Sequence, residues 1–408
     1  MTRIEAPRGT HDVLPRDQPL WQTVTGEMER LCALYGYRRI QTPVFEDTEL
    51  FARTSGAGSD IVQKEMYTFE DRSGRSLTLR PEGTPPICRA YLEHGMLREP
   101  QPVKLYTLAT MYRYAAPQRG RFREHWQLSL ECIGSDDPAV DAEVIQFYDT
   151  LLRNLGVRTY ELRLNSIGDR NCRPRYVETL NAWLDAHADA LDDEARQKRA
   201  TSPLRVFDVK NETVRGALRD APKIGDSLCD ECAEHFGRVL GHLDAYGVAY
   251  TVDPTLVRGL DYYTRTVFEF IGPDESAQAS TICGGGRYDY LVEEIGGPPT
   301  PGIGFGAGIE RLVLSLQLEG IAADEPKLDV FVAVEPGQSA FALVAELRHA
   351  GLAADSDLAG RSLKGQLSYG SKRANAVVVV APDGMTLRRP GELDVEVDLD
   401  ELKELLAR

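Results

Sequence analysis

The chain has 408 residues, 47 basic and 63 acidic side chains and a formal net charge of −16. At roughly 100–200 residues per domain, that length makes two to four domains. With 42% hydrophobic and 27% charged residues it is neither disordered, collagenous nor low-complexity, and so acidic a chain does not coat nucleic acid non-specifically.

No apolar run is long enough to cross a membrane, and the start, MTRIEAPRGTHD, has no apolar secretory segment. Seven cysteines, an odd number spread over a long chain, fit reduced thiols. A cytoplasmic protein with no membrane partner is expected.

Asp17 is the predicted cap of a helix with Pro19 in its first turn. Leu20, Trp21, Val24, Met28, Leu31, Cys32 and Tyr35 follow at spacings of three and four, and Gly36 ends the element. RRIQTPVFE reads as a strand that Pro43 confines to an edge or an interface. YTFEDRSGRSLTLRP reads as a hairpin, and PVKLYTLATMYRY and FREHWQLSLECIG as two further strands. Asp137 and Pro138 open a helix that buries Val140, Val144, Phe147, Leu151 and Leu155 before Gly156. Residues 165–250, rich in charge and alanine, read as a helical insertion. TRTVFEFIG is a strand, and GIGFGAGIERLVLSLQLEG a glycine-rich strand running into a helix. After a linker at ADEPK, the order strand, helix, helix, strand, strand, helix predicts a small α/β domain.

Three stretches carry chemistry. From Arg80 to Arg123 eight basic residues stand against three acidic ones. The bland reading is a solvated basic hairpin. The functional reading is an anion site, with the planar forks of Arg113 and Arg121 flanking a loop. Strand alternation puts Gln127, Ser129 and Glu131 on one face, which suggests a polar pocket. LVRGLDYYTRTVFEF sets a cation, a carboxylate and two phenols within a few residues. GIGFGAGIERL fails as a dinucleotide fingerprint by spacing, and no G-x-x-x-x-G-K-[ST] phosphate loop exists. Its glycines would let backbone approach a flat ligand, with Arg311 on the following helix. Cys229-x-x-Cys232, with His235 and His242 nearby, is a single pair, too little for zinc at finger spacing. Thiols capping a helix are the expectation there, with no metal among the protein's own ligands. His11, His94, His125 and His349 read as structural or surface residues.

Taken in order over nearly the whole chain, these stretches resemble the histidyl-tRNA synthetase family of class II aminoacyl-tRNA synthetases. RGTHDVLP resembles its N-terminal signature, and RRIQTPVFE motif 1, the dimer-interface motif. LTLRPEGT resembles the histidine amino-group loop, and YRYAAPQRGRFREHWQL motif 2. LVRGLDYYTRTVFE and GGGRYDYL resemble the two histidine-specific motifs, and GIGFGAGIERL motif 3. The resemblance implies an α+β fold: an antiparallel catalytic sheet of six to seven strands flanked by helices (1–164 and 251–325), a helical insertion (165–250) and an α/β anticodon-binding domain (326–408). It implies a homodimer that activates L-histidine with ATP and magnesium, its ligands open, and passes the acyl group to histidine tRNA. By the same resemblance Arg258 and Arg113 are catalytic. Glu82, Gly83, Thr84, Gln127, Glu131, Arg258, Tyr262 and Tyr263 hold histidine, with Glu82 and Gln127 on the amino group and Glu131 and Tyr263 on the imidazole. Arg113, Arg121 and Arg311 hold ATP, and Gln118 reaches the tRNA acceptor end.

Two features depart from the family. The Glu and Arg that usually follow the motif 2 arginine are Ala115 and Ala116 here, which leaves adenine to backbone contacts and the acceptor-end reading to Gln118. Residues 326–408 carry 10 basic and 13 acidic side chains, so base-edge contacts rather than broad phosphate attraction are expected there. The competing reading is a catalytically silent relative, the regulatory subunit of ATP phosphoribosyltransferase, which typically lacks the complete arginine motif and the anticodon domain.

Overall fold

The structure, a computed structural model, describes residues 3–56, 59, 61–116, 119–273 and 281–407. The chain divides into two compact units between residues 323 and 324.

In chain order the first unit contains α1 (Gln18–Leu34), β1 (Arg38–Arg39), β2 (Phe45–Asp47), α2 (Thr48–Thr54), β3 (Tyr67–Glu70), β4 (Ser76–Leu79) and α3 (Thr84–Glu93). β5 (Val103–Tyr112), β6 (Glu124–Ile133), α4 (Pro138–Asn154) and β7 (Glu161–Ser166) follow. The helical stretch holds α5 (Arg173–Ala186), α6 (Asp193–Thr201), α7 (Glu212–Ala217) and α8 (Asp230–Tyr246). β8 (Thr251–Val252), β9 (Thr264–Ile271), β10 (Thr281–Arg287), α9 (Leu291–Glu294), β11 (Gly302–Gly308) and α10 (Ile309–Leu318) complete it.

The main sheet has eight strands in the order β1-β5-β6-β11-β10-β9-β7-β8. Its six central strands are antiparallel. It is wider than expected because a two-residue parallel strand is added at each edge, β1 on β5 and β8 on β7. RRIQTPVFE is broken accordingly into β1 and β2 around Pro43, which has no N–H to continue a ladder. Helices α1, α4, α8 and α10 cover one face of the sheet. Val24, Met28, Phe147, Leu151, Val239, Leu243, Phe305 and Leu312 are fully buried or nearly so in that core. β2, β4 and β3 form a separate antiparallel sheet, and β3–β4 is the expected hairpin.

The spacing in α1 is matched: Leu20, Val24, Met28, Leu31 and Cys32 are buried. The cap is not. Asp17 has helical backbone angles (φ −93°, ψ −19°) and its side chain makes no capping bond, whereas Asp137 is extended (ψ 126°) and accepts from the N–H of Ala139. In α4 Val140 is only half-buried, while Val144, Phe147, Leu151 and Leu155 are buried as expected.

The second unit contains β12 (Leu328–Val334), α11 (Phe341–His349), β13 (Ala354–Ser356), α12 (Leu363–Arg373), β14 (Ala374–Ala381), β15 (Gly384–Arg388), β16 (Val395–Val397) and α13 (Leu399–Leu406). Its sheet runs β13-β12-β14-β15-β16, with β12 parallel to β13 and β14 and the last two pairings antiparallel. One more strand each was needed after α11 and before α13 than the sequence pattern suggested. Both are three residues long, too short to show an alternation.

Candidate active site

The site is built on a sheet face from which side chains have been removed. Gly302, Gly304, Gly306 and Gly308 of β11 share one face, while Ile303, Phe305 and Ala307 point into the core. Opposite them on β6 stand Glu131 (across from Gly304), Ser129 (from Gly306) and Gln127 (from Gly308). A Cβ at Gly304 would overlap the Glu131 carboxylate, one at Gly306 the Gln127 amide, and one at Gly284 of β10 the Arg258 guanidinium. The glycines are therefore the space in which the neighbours' polar groups lie.

Over this floor opens a cavity of ≈ 390 Å³. One wall is made of hydrogen-bonding groups. Glu82 accepts from Ser55 Oγ at 2.6 Å and from Tyr262 OH at 2.7 Å. Burial raises its pKa despite those bonds and the nearby Arg113. Gln127 Nε2 donates to Ser129 Oγ at 2.8 Å. Glu131 lies over Gly304, fully buried and outside the cavity lining, and accepts from Thr84 Oγ1 and Tyr288 OH, each at 2.6 Å. Burial pushes its pKa up to about 8 against those two bonds.

Four arginines also line the cavity. Arg258 pairs with Glu269, and that carboxylate raises its pKa although burial works against the charge. Its Nε has no hydrogen-bond partner among the described residues. Arg113 Nε donates to the Pro81 carbonyl at 2.7 Å. Arg121 pairs with Glu65 at 2.9 Å. Arg311 donates to the carbonyls of Gly120 and Thr281. Burial, with Arg121 and Arg113 beside it, pushes the Arg311 pKa down to about 10. Burial and the same cations with Arg311 push His125 down to about 3, so it is neutral near pH 7.

Glu82, Thr84, Arg113, Arg121, Gln127, Arg258, Tyr262, Tyr263 and Arg311 thus line one cavity. Gly83 stands behind the wall as the N-cap residue of α3, where a Cβ would overlap Ser129 Oγ. Gln118 lies outside the described residues. Ala115 lines the cavity, 3% exposed.

Sequence reasoning missed Ser55, Glu65, Phe122, Glu269, Tyr288 and Glu310. Glu269 and Tyr288 lay inside quoted motifs with no role attached, and Ser55 lies outside all of them. His125 is corrected in one respect: it is not a surface residue, because strand β6 turns it into the cavity among three arginines. His235 stands apart from the cysteine pair. It is buried and bonded to Asp141 Oδ2 at 2.8 Å. Nor does Cys229 cap α8 with its thiol, since no such bond is made at that N-cap position.

A family profile for Histidyl-tRNA synthetase matches residues 9–312. The "Histidine--tRNA ligase" of Caldanaerobacter subterraneus subsp. tengcongensis is 47% identical over 414 aligned positions, spanning 98% of this chain and 99% of that protein. The crystal structure of apo S. aureus histidyl-tRNA synthetase superposes with a TM-score of 0.84 at 35% identity, covering all of both chains. A Bacillus halodurans C structure titled ATP phosphoribosyltransferase regulatory subunit/histidyl-tRNA synthetase shares the fold at 24% identity, with a TM-score of 0.67 and coverage of 93% and 98%. With the profile, the full-length relatives and a cavity that gathers the motif residues, this chain belongs to the histidyl-tRNA synthetase family.

Proposed function

We propose that this cavity carries out the family's two-step ligation. Histidine and ATP give histidyl-adenylate and pyrophosphate, and the acyl group then moves to the 3′ end of histidine tRNA. The observation that carries this reading is the gathering of buried Glu82, Gln127, Tyr262 and Tyr263 with four arginines around a single ≈ 390 Å³ cavity.

Glu82, with Gln127 and Thr84 beside it, takes the α-amino group. Glu131, reached through Thr84 and Tyr288, and Tyr263 read the imidazole, with Tyr262 holding Glu82 in place. A site that hydrogen-bonds its ligand rejects analogues lacking those groups by roughly 10⁴–10⁵-fold. Attack of the histidine carboxylate on the α-phosphate gathers negative charge, so the rate comes from fixed cations rather than from proton transfer. Arg113 and Arg258 face that charge, and Arg121 and Arg311 hold the phosphates beyond it. Magnesium bound with the ATP phosphates supplies further neutralisation. Glu310 is the carboxylate that fits it, because its Oε2 has no hydrogen-bond partner among the described residues and burial holds its pKa up at about 7.

Residues 1–164 and 251–325 are assigned as the catalytic domain, 165–250 as a helical insertion and 326–408 as the anticodon-binding domain. The division near residue 323 supports the last boundary. In the insertion Tyr176, Leu180, Leu184 and Val206 bury together, whereas α8 also contributes Val239 and Leu243 to the core of the main sheet. The chain pairs with a second copy through the motif 1 region. The support is an apolar surface on the small sheet, where Phe45 is 51% and Phe69 43% exposed and the two rings meet edge to face. Sedimentation at twice the mass of the chain is expected, and a monomer at assay concentration would refute the pairing. No helix of the described residues is long and apolar enough to cross a membrane. All seven cysteines are free, which supports a cytoplasmic setting.

ATP–pyrophosphate exchange with each of the twenty amino acids tests the function. Exchange with histidine alone is expected. No exchange with any of them would favour the regulatory relative. A second expectation concerns the four arginines. Arg113, Arg121 and Arg258 around a depressed Arg311 and a neutral His125 repel one another until an anion arrives. ATP or pyrophosphate at about a hundredfold its Kd should therefore stabilise the fold by about 2.7 kcal/mol. Differential scanning calorimetry with and without ligand reads this, and an unshifted midpoint would remove the arginines from the phosphate site.

A further inference from the structure

Behind the histidine side of the cavity, four side chains from two distant segments converge. Asp169 and Cys172 sit in the loop after β7, spaced D-x-x-C, and Cys229 and Cys232 at the start of α8, spaced C-x-x-C. Their carboxylate oxygen and three Sγ atoms all lie within 4.8 Å of one another. We propose that these four residues form a tetrahedral site for a soft divalent cation of the zinc type, which ties the N-terminus of α8 to the loop that supports the histidine-binding motif.

Ligands about 2.3 Å from zinc stand about 3.8 Å apart at tetrahedral corners, so the observed group needs to contract by less than about 1 Å to close on an ion. Its chemistry fits: thiolates select zinc over harder cations, and an Asp oxygen completes a four-coordinate set. The surroundings fit as well. Cys229 occupies the N-cap position of a 17-residue helix, and its thiol makes no capping bond there. Gly168 turns the chain into the loop with φ 63°, and a Cβ there would crowd Cys172 Sγ. Three thiolates and a carboxylate around a divalent ion leave two negative charges. The Arg265 guanidinium, 3.6 Å from Asp169, offsets one of them. Arg265 is held there in a left-handed backbone conformation (φ 46°), unusual for a side chain of its size. The loop then reaches the active site directly: Arg173 donates to the carbonyls of Ile167, Gly168 and, at 2.7 Å, Tyr263. The proposal does not depend on the ligation chemistry assigned to the cavity.

The test uses the full chain, purified under reducing conditions, loaded with zinc and desalted. One equivalent of zinc by plasma mass spectrometry is expected, and its loss in the double variant Cys229→Ser with Cys232→Ser. Cobalt in place of zinc should give the intense visible bands of a tetrahedral ion and a thiolate charge-transfer band. Asp169→Cys should strengthen that band by adding a fourth thiolate, a readout that survives if the double variant fails to fold. Chelation should lower the melting temperature. A parent chain that retains no zinc and shows no charge-transfer band with cobalt overturns the proposal.

Discussion

An Arg258→Ala chain exchanges pyrophosphate into ATP about 10²–10³-fold more slowly than its parent, the usual cost of removing one preorganised donor from a developing negative charge, while its affinity for histidine tRNA is unchanged. The guanidinium is held by Glu269 and crosses the glycine face at Gly284, so its position is fixed before any substrate arrives. That preorganisation makes the loss large, because water would have to replace it with a reorganising dipole. Arg258→Lys keeps a charge but not the planar fork, and should recover only part of the rate. A Glu269→Gln chain separates positioning from direct contact, since it loosens the arginine without deleting it, and should lose less. Exchange within a few-fold of the parent in Arg258→Ala would mean that the arginine only pairs with Glu269, and the catalytic assignment would fall.

Arg287→Leu should destabilise the first unit by about 3–5 kcal/mol, because it strands a buried carboxylate. Asp141 is fully buried and takes bonds from Arg287 Nε and Nη2, from His235 and, at 2.7 Å, from Thr266 Oγ1. Arg287 also donates to the Ser135 carbonyl and to Asp289. The network joins α4, α8, β9 and β10, the elements on which the cavity rests. Replacing both partners, Asp141→Leu with Arg287→Met, should restore much of the loss, since the fully buried carboxylate is then gone with its arginine. Burial raises the Asp141 pKa, and Arg287 and His235 outweigh it and hold the carboxyl below its ordinary value of 3.8. The stabilisation is accordingly present above pH 3.8 and lost as the pH falls below it. Urea melts of the single and double variants at neutral and acid pH check both points. Equal stability of parent and Arg287→Leu would show that the network carries no net energy.

What the sequence displays and what it conceals follow from distance along the chain. The periodicity of α1, the β3–β4 hairpin and the alternation of Gln127, Ser129 and Glu131 are local patterns, readable within a dozen residues. The family resemblance named nine of the residues that line the cavity, yet not their partners. Glu82 meets Tyr262 across 180 positions and Arg287 meets Asp141 across 146, and no spacing rule reaches that far. The Cys229 pair looked incomplete because its complement, Asp169 and Cys172, enters from the other end of the helical stretch. The Asp17 cap failed for a local reason of another kind: composition offers a capping side chain, but the backbone angle decides whether it is used.

The bare face of β10 and β11 has a consequence for how such a cavity changes over time. A floor without side chains imposes no chemistry of its own. The polar and charged groups around the cavity are projected over it from β6, from the start of α3, from the β5–β6 loop, from α10 and from the Arg258 loop. Exchanging Gln127 or Thr84 therefore changes the lining and leaves the support in place, whereas almost any replacement of Gly304 or Gly306 fills the room itself. Selectivity is free to drift in the walls while the platform beneath is locked.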